Sequence, residues 1–343
     1  MIAPLMTCSA RLPVYALFAA AFFPHSGQNL VFALYLTGIA VAILSGLAMK
    51  HTLLQGDSSG LLMELPPYHL PTVKGVLLRT WDRVKLFLRE AGKVIVLMVL
   101  ALNVLSTIGS DGSLNNQNED QSVLAAVSRA ATPLFAPMGI RDDNWPAVLG
   151  VFSGVLAKEV IVGTLDSLYG RLAAEDAPAI TPEPFELWRD LQRAGASVSD
   201  NLAELGARLL DPLGLNVGDL SDTEIAAATQ GVQTGTFGAM AARFDGQAGA
   251  FAYLLFVLLY FPCVATIGAI VREAGMAWAI FVGCWTTGVA FLTATVFYQT
   301  AIFERNPLVA SLWIGSGLVL FISILIGLRL WAAKSIDSGV VSK

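Results

Sequence analysis

Charge is scarce in this sequence. Only 14% of its 343 residues are Asp, Glu, Lys or Arg, while 55% are hydrophobic, against roughly a quarter charged in ordinary soluble domains. Cysteine and histidine are scarcer still, at three each. No Cys-x-x-Cys spacing occurs, which excludes a disulfide framework and a structural zinc site. No Gly-x-x-x-x-Gly-Lys-(Ser/Thr) loop occurs, so no GTP site is expected, and without a visible nucleophile–base pair no enzyme is expected either. No basic stretch followed by an uninterrupted apolar core opens the chain, so no signal peptide is evident. The net charge of −5 says little, because the charge lies in loops and only its asymmetry matters; no nucleic-acid partner is expected.

What the chain does have is apolar length. Several windows of about 20 residues could cross a bilayer, which predicts an all-α polytopic membrane protein with about six membrane-spanning helices plus interrupted or re-entrant helices. Residues 1–49 hold an interrupted motif and two membrane helices. Residues 50–93 carry seven basic residues (Lys50, Lys74, Arg79, Arg83, Lys85, Arg89, Lys93) against four acidic ones, which places this loop in the cytoplasm. Val73–Glu90 within it has the spacing of an amphipathic helix, either lying along the membrane surface or solvated.

Residues 94–165 should form two membrane helices, Val94–Ile108 and Pro146–Leu165, with Trp145 as an interfacial anchor. Asn103 would hydrogen-bond a neighbouring helix. Residues 166–248 are the least apolar part and read as a cytoplasmic subdomain with short amphipathic helices at Phe185–Arg193 and Leu202–Leu210. Residues 249–275 contain a break at Pro262-Cys263, residues 276–331 two further membrane helices, and residues 332–343 a cytoplasmic tail. If 250–271 crossed fully, Arg272 and the basic tail would fall outside; the positive-inside rule therefore favours a re-entrant hairpin over an unwound crossing.

Two interruptions and one ionisable pair carry candidate chemistry. Pro4-Leu5-Met6-Thr7-Cys8-Ser9-Ala10-Arg11-Leu12-Pro13 combines two prolines with a thiol and a thioether, and Tyr260-Phe261-Pro262-Cys263-Val264-Ala265-Thr266-Ile267 repeats the pattern Cys-x-Ala-x-(Leu or Ile). Proline removes a donor and frees nearby carbonyls. Paired breaks in separate halves of a membrane protein point to a substrate site. The ionisable pair is Lys158-Glu159, inside the apolar span Pro146–Leu165, and it faces a cavity or partner because its burial is costly. Alternatively, Lys158 snorkels to the inner surface and Glu159 pairs with it or caps a helix end.

These residues resemble a known family. The block from Pro4 to Tyr15, the loop Glu64-Leu65-Pro66-Pro67-Tyr68-His69-Leu70-Pro71, Ala157-Lys158-Glu159-Val160-Ile161-Val162-Gly163-Thr164-Leu165, and the block from Leu258 to Ile267 are similar, in this order, to the first gate motif, loop signature, Ala-Lys-Glu element and second gate motif of the ferrous iron transport protein B family. The resemblance implies Fe2+ as transported substrate and a multi-pass location in the bacterial inner membrane. It further implies partners besides the lipid bilayer. These are a GTP-binding domain, in a missing N-terminal part or in trans, and small cytoplasmic accessory proteins; a homo-oligomer is compatible. The chain is expected to be the C-terminal portion of such a transporter, as a fragment, a truncated product or half of a split protein.

The expected metal contacts are Cys8 and Cys263, brought together near the membrane midplane, with Met6 and Glu159 contributing less directly. Sulfur donors favour softer transition ions over Mg²⁺ or Ca²⁺, and a sparse donor set allows release. Met6 would chiefly fill an apolar gap. Cys284 is expected to be core, and Arg11, permanently cationic, to bind freed carbonyls or a carboxylate. His25, His51 and His69 are not expected to bind metal. The alternatives are a nucleoside-type gate transporter, or a non-transporting membrane subunit that needs a separate GTPase partner.

Overall fold

The computed structural model describes residues 3–53, 72–107, 122–156, 158, 160–176, 227 and 232–337. Among them there is no β-strand, and the helices follow the apolar runs: α1 (Leu12–Phe22), α2 (Gly27–Thr52), α3 (Val73–Thr107), α4 (Val123–Ala131), α5 (Trp145–Leu156), α6 (Val160–Asp176), α7 (Thr234–Arg243), α8 (Gly246–Leu259), α9 (Val264–Ala274), α10 (Met276–Ala301) and α11 (Pro307–Asp337). Four stretches are long and apolar enough to cross a membrane: α2, α8 with α9, α10, and Pro307–Ala333 of α11. The protein is therefore an all-α polytopic membrane protein. The Glu64–Pro71 block, the polar stretch 110–121, the expected helices at 185–193 and 202–210, Glu159 and the end of the tail lie outside the described residues, as does the Asn103 side chain.

Pro13 falls in the first turn of α1, where its missing N–H costs nothing. Val14, Tyr15, Leu17 and Phe18 are fully buried. Phe18 stacks on Tyr253 of α8 at 5.1 Å between ring centres and meets Phe244 edge-on at 5.4 Å. Gln247 donates to the Phe22 carbonyl (2.9 Å), fixing the end of α1 beside the start of α8. From there α2 runs parallel to α8: Gly38 sits against Leu258, and further on Ser45 accepts a hydrogen bond from Trp285 of α10 at 3.4 Å.

Three expectations are corrected. The amphipathic stretch and the segment after it form one helix, α3, because no proline separates them and Gly92 alone is a weak breaker. Its 35 residues extend about 52 Å. The stretch 146–165 is no straight span. Asn144 accepts from the Tyr169 hydroxyl, Gly150 lies against Leu165, and Gly154 against Ile161. These pairs close in on residue 158, so α5 and α6 form a helical hairpin with Lys158 at its tip. Gly150 and Gly154 make this possible, since a Cβ at either would collide with the opposing helix.

Conversely, no hairpin forms at Pro262-Cys263. Tyr298 of α10 donates to Asp245 (3.0 Å), Phe297 packs on Phe251 (4.6 Å), and Gly283 receives Phe261. One continuous helix thus runs antiparallel to both α8 and α9, and the chain keeps its direction through the break. Gly139, with φ of +88°, accommodates the Tyr298 ring where a side chain would stand. Gln299 donates to the Pro137 carbonyl at 2.7 Å. The end of the bundle holding Phe22, Asn144, Tyr169 and Gln247 is opposite to the end holding Lys50 and Arg272.

Candidate functional site: three chain breaks at one depth

The first break precedes α1, the second is the tip of the α5–α6 hairpin, and the third separates α8 from α9. Residues from the first and third meet at Gly38. A Cβ there would lie 3.3 Å from the Leu5 carbonyl oxygen, 3.7 Å from Thr7 Oγ1 and 3.6 Å from Leu258 Cδ1. The second and third meet at Tyr260. Lys158 Nζ lies 4.4 Å above its ring, and the Tyr260 hydroxyl passes Gly154 to donate to the Val151 carbonyl at 3.4 Å. Lys158 is 3% exposed, which overturns the snorkelling alternative: the aromatic face holds the ammonium inside.

Arg11 organises the first break. It is 2% exposed, and its fork donates from Nη1 to the Met6 carbonyl (3.1 Å) and from Nη2 to the Pro4 carbonyl (3.2 Å), while its backbone N–H donates to the Cys8 carbonyl (3.1 Å). Carbonyls that no helix satisfies are thus gathered by one guanidinium, as a buried break requires.

All three cysteines are free. Cys8 is exposed, and Cys263 is half-buried at the N-cap of α9, its Sγ 3.2 Å from Thr266 Oγ1. The breaks that carry them adjoin, but no bond joins the two thiols. The Met6 side chain is 47% exposed and does not fill a core gap. Cys284 faces a groove between α10 and α11, in contrast to the core position expected for it. Among the described residues no group of three His, Cys, Asp or Glu gathers.

The half-helices α5 and α8 both end at this level, leaving their last carbonyls without intrahelical donors. Such C-terminal ends and unwound carbonyls are cation-binding elements in transporters. Sequence reasoning gave no role to Tyr260, Thr7 or Asp166. Asp166 accepts from the Gln233 N–H (2.8 Å) and the Thr236 hydroxyl (2.7 Å), which fastens α6 to α7. Only the presence of a carboxylate in an apolar helix could have signalled it.

Comparison with known proteins bears on this arrangement. Residues 31–83 match the family model described as ferrous iron transport protein B C terminus, and residues 88–277 match Gate, described as nucleoside recognition. The Fe(2+) transporter FeoB of Legionella pneumophila is 42% identical over 317 residues, covering 92% of this chain and 40% of that protein. FeoB of Escherichia coli K12 is 39% identical over 337 residues, covering 98% and 42%. The chain thus spans about two-fifths of the length of the curated relatives it matches. No solved structure matches. The chain therefore belongs to the Gate family, in the form found in the C-terminal membrane region of ferrous iron transport protein B.

Proposed function

We propose that this chain is the membrane permease portion of a ferrous iron uptake transporter of the bacterial inner membrane, and that Fe2+ passes where the three breaks adjoin. The observation that carries this reading is the meeting of the Cys8-bearing and Cys263-bearing breaks around Gly38, with Lys158 drawn onto Tyr260 beside them. Two thiols and the carbonyl ends of α5 and α8 offer a soft, sparse donor set suited to a transition ion that must also leave. Glu159, next to Lys158 in the sequence, is the further oxygen donor in this reading, as the family resemblance implies. The Met6 thioether, exposed beside Cys8, is an auxiliary contact.

The same geometry supports a sidedness. With Lys50 and Arg272 at one end of the bundle, a cytoplasmic location for that end satisfies the positive-inside rule. The segment between α6 and α7 then starts and returns on the outer side, not the inner side expected from composition. GTP-dependent control comes from a GTP-binding domain elsewhere in the same protein or in trans, in keeping with the family resemblance.

The test is Fe(II) uptake by cells carrying the complete transporter with Cys8→Ser and Cys263→Ser together. Uptake is expected to fall at least tenfold; uptake equal to the parent would remove the thiols from the mechanism. A second reading is favoured by the description of the 88–277 match: a nucleoside substrate. Tryptophan fluorescence of the purified chain separates the two, with quenching expected from Fe(II) and none from nucleosides.

A further inference from the structure

At the tip of the α5–α6 hairpin a positive charge already occupies a place fit for a cation. Lys158 is 3% exposed, and its ammonium stands 4.4 Å above the Tyr260 ring. We propose that Lys158 is the residue that excludes Na⁺ and K⁺ from the route: a tethered monovalent cation that holds the place until a divalent ion displaces it. The inference rests on the reading that a cation crosses at the breaks.

The place suits a cation whichever one fills it. An aromatic face attracts positive charge through its ring quadrupole. Tyr260 is also where α8 leaves helical geometry, so the carbonyls of Val257, Leu258 and Leu259 have no helical donor ahead of them. For Leu258 the donor is lost by chemistry, because the residue four further on is Pro262, which has no N–H. The end of α5 at Leu156 adds a second negative helix pole two residues before Lys158. The ring itself is fixed independently of the ammonium. Its hydroxyl donates to the Val151 carbonyl (3.4 Å), Phe256 packs on it at 5.4 Å between ring centres, and a Cβ on Gly154 would collide with its hydroxyl. The aromatic face therefore stays in place when the ammonium leaves.

Charge decides which ion can take the place. A free monovalent ion meets the same ring and dipoles with no more charge than the ammonium it must replace. The ammonium is tethered, so its return is intramolecular, at an effective concentration that a dissociating ion does not have. A divalent ion interacts twice as strongly with the same groups and repels the ammonium as it arrives. Its larger hydration cost is offset by the carbonyls and thiols of the adjoining breaks. The start of α6 at Val160, two residues beyond Lys158, sets a positive helix pole against the ammonium, which keeps the hold releasable. Lys158 thus closes the route to monovalent ions without a seal that would also stop Fe2+.

The test uses the complete transporter in liposomes loaded with radioactive sodium. Lys158→Met keeps the length of the stem and removes the charge, and sodium efflux is expected to rise at least tenfold over the parent. Lys158→Arg restores a cation able to stack on the Tyr260 face and should restore exclusion. Efflux from Lys158→Met equal to the parent would overturn the proposal. So would equal leakage from both variants, which would assign the effect to packing. The iron route is judged separately. If Lys158→Met leaks sodium while Cys8→Ser with Cys263→Ser leaves Fe(II) uptake intact, the thiol route falls and the selectivity residue stands. If the paired serines abolish uptake while Lys158→Met stays tight to sodium, the reverse holds. A second measurement needs no variant. Fe(II), kept reduced without oxygen, should speed acylation of the Lys158 amine by a small neutral ester severalfold, read by mass spectrometry of the cleaved peptide, whereas Na⁺ at matched ionic strength should not. A rate unchanged by Fe(II) would overturn the proposal even if Lys158→Met failed to fold.

Discussion

Arg11 shows what a single side chain must do inside an interrupted membrane helix. Its two terminal nitrogens reach carbonyls two residues apart, those of Pro4 and Met6, which only a planar fork can do at once. Arg11→Lys keeps the charge but offers a compact ammonium, so at least one carbonyl loses its donor. The expected cost is about 1–3 kcal/mol, from charged hydrogen bonds weighed against their smaller apparent values in membranes. It would be read as a lower unfolding midpoint in detergent. A midpoint equal to the parent would mean the carbonyls are satisfied from elsewhere. Tyr260 has a comparable position, since its ring carries Lys158 and its hydroxyl reaches Val151.

At the scale of elements, small residues set how closely the broken segments approach. In a bilayer, lipid is as apolar as leucine, and helices associate through close packing and hydrogen bonds. Gly38 of α2 provides that closeness where the first and third breaks meet. The atom facing it at 3.3 Å is backbone, the Leu5 oxygen, which cannot rotate aside. Gly38→Leu should therefore push the Cys8-bearing break away from α8, costing about 1–3 kcal/mol by overpacking and reducing Fe(II) uptake at least tenfold. Gly315→Leu, with nothing within 4 Å of its Cβ, should leave both unchanged. Uptake insensitive to Gly38→Leu would show that the Gly38 contact does not shape the route.

For the whole molecule, the decisive feature is which segment turns back and which goes through. The α5–α6 hairpin brings Arg141 and Arg171 to one end of the bundle, while α8 and α9 carry the chain from Gln247 at that end to Arg272 at the other. In a background without Cys8, Cys263 and Cys284, single cysteines at these positions should separate into two classes. Arg141→Cys, Arg171→Cys and Gln247→Cys should react from outside with an impermeant thiol reagent, and Arg272→Cys only after permeabilisation. Labelling of Arg171→Cys from the inside alone would mean that α5 and α6 cross. The Asp245–Arg305 ion pair (2.8 Å) fastens the α10–α11 connection to the start of α8 at the end that also holds Gln247. With Arg305 66% exposed, it adds little to stability.

Much of this was legible in the sequence. Long apolar runs fixed the helical class and the spans α2, α10 and α11, because a bilayer admits few other uses for such runs. Prolines at 4, 13 and 262 marked two breaks, and Arg11 was expected on freed carbonyls, where it lies. Segment length could not tell a 20-residue span from a hairpin of two half-helices, since both contain the same apolar residues. What decided it was contact between distant positions: Gly150 with Leu165, Gly154 with Ile161, and Phe261 with Gly283. Local composition determined where the chain is interrupted. Only tertiary packing, through glycines that admit a neighbour and a buried ammonium held against Tyr260, decided that the interruptions share one depth.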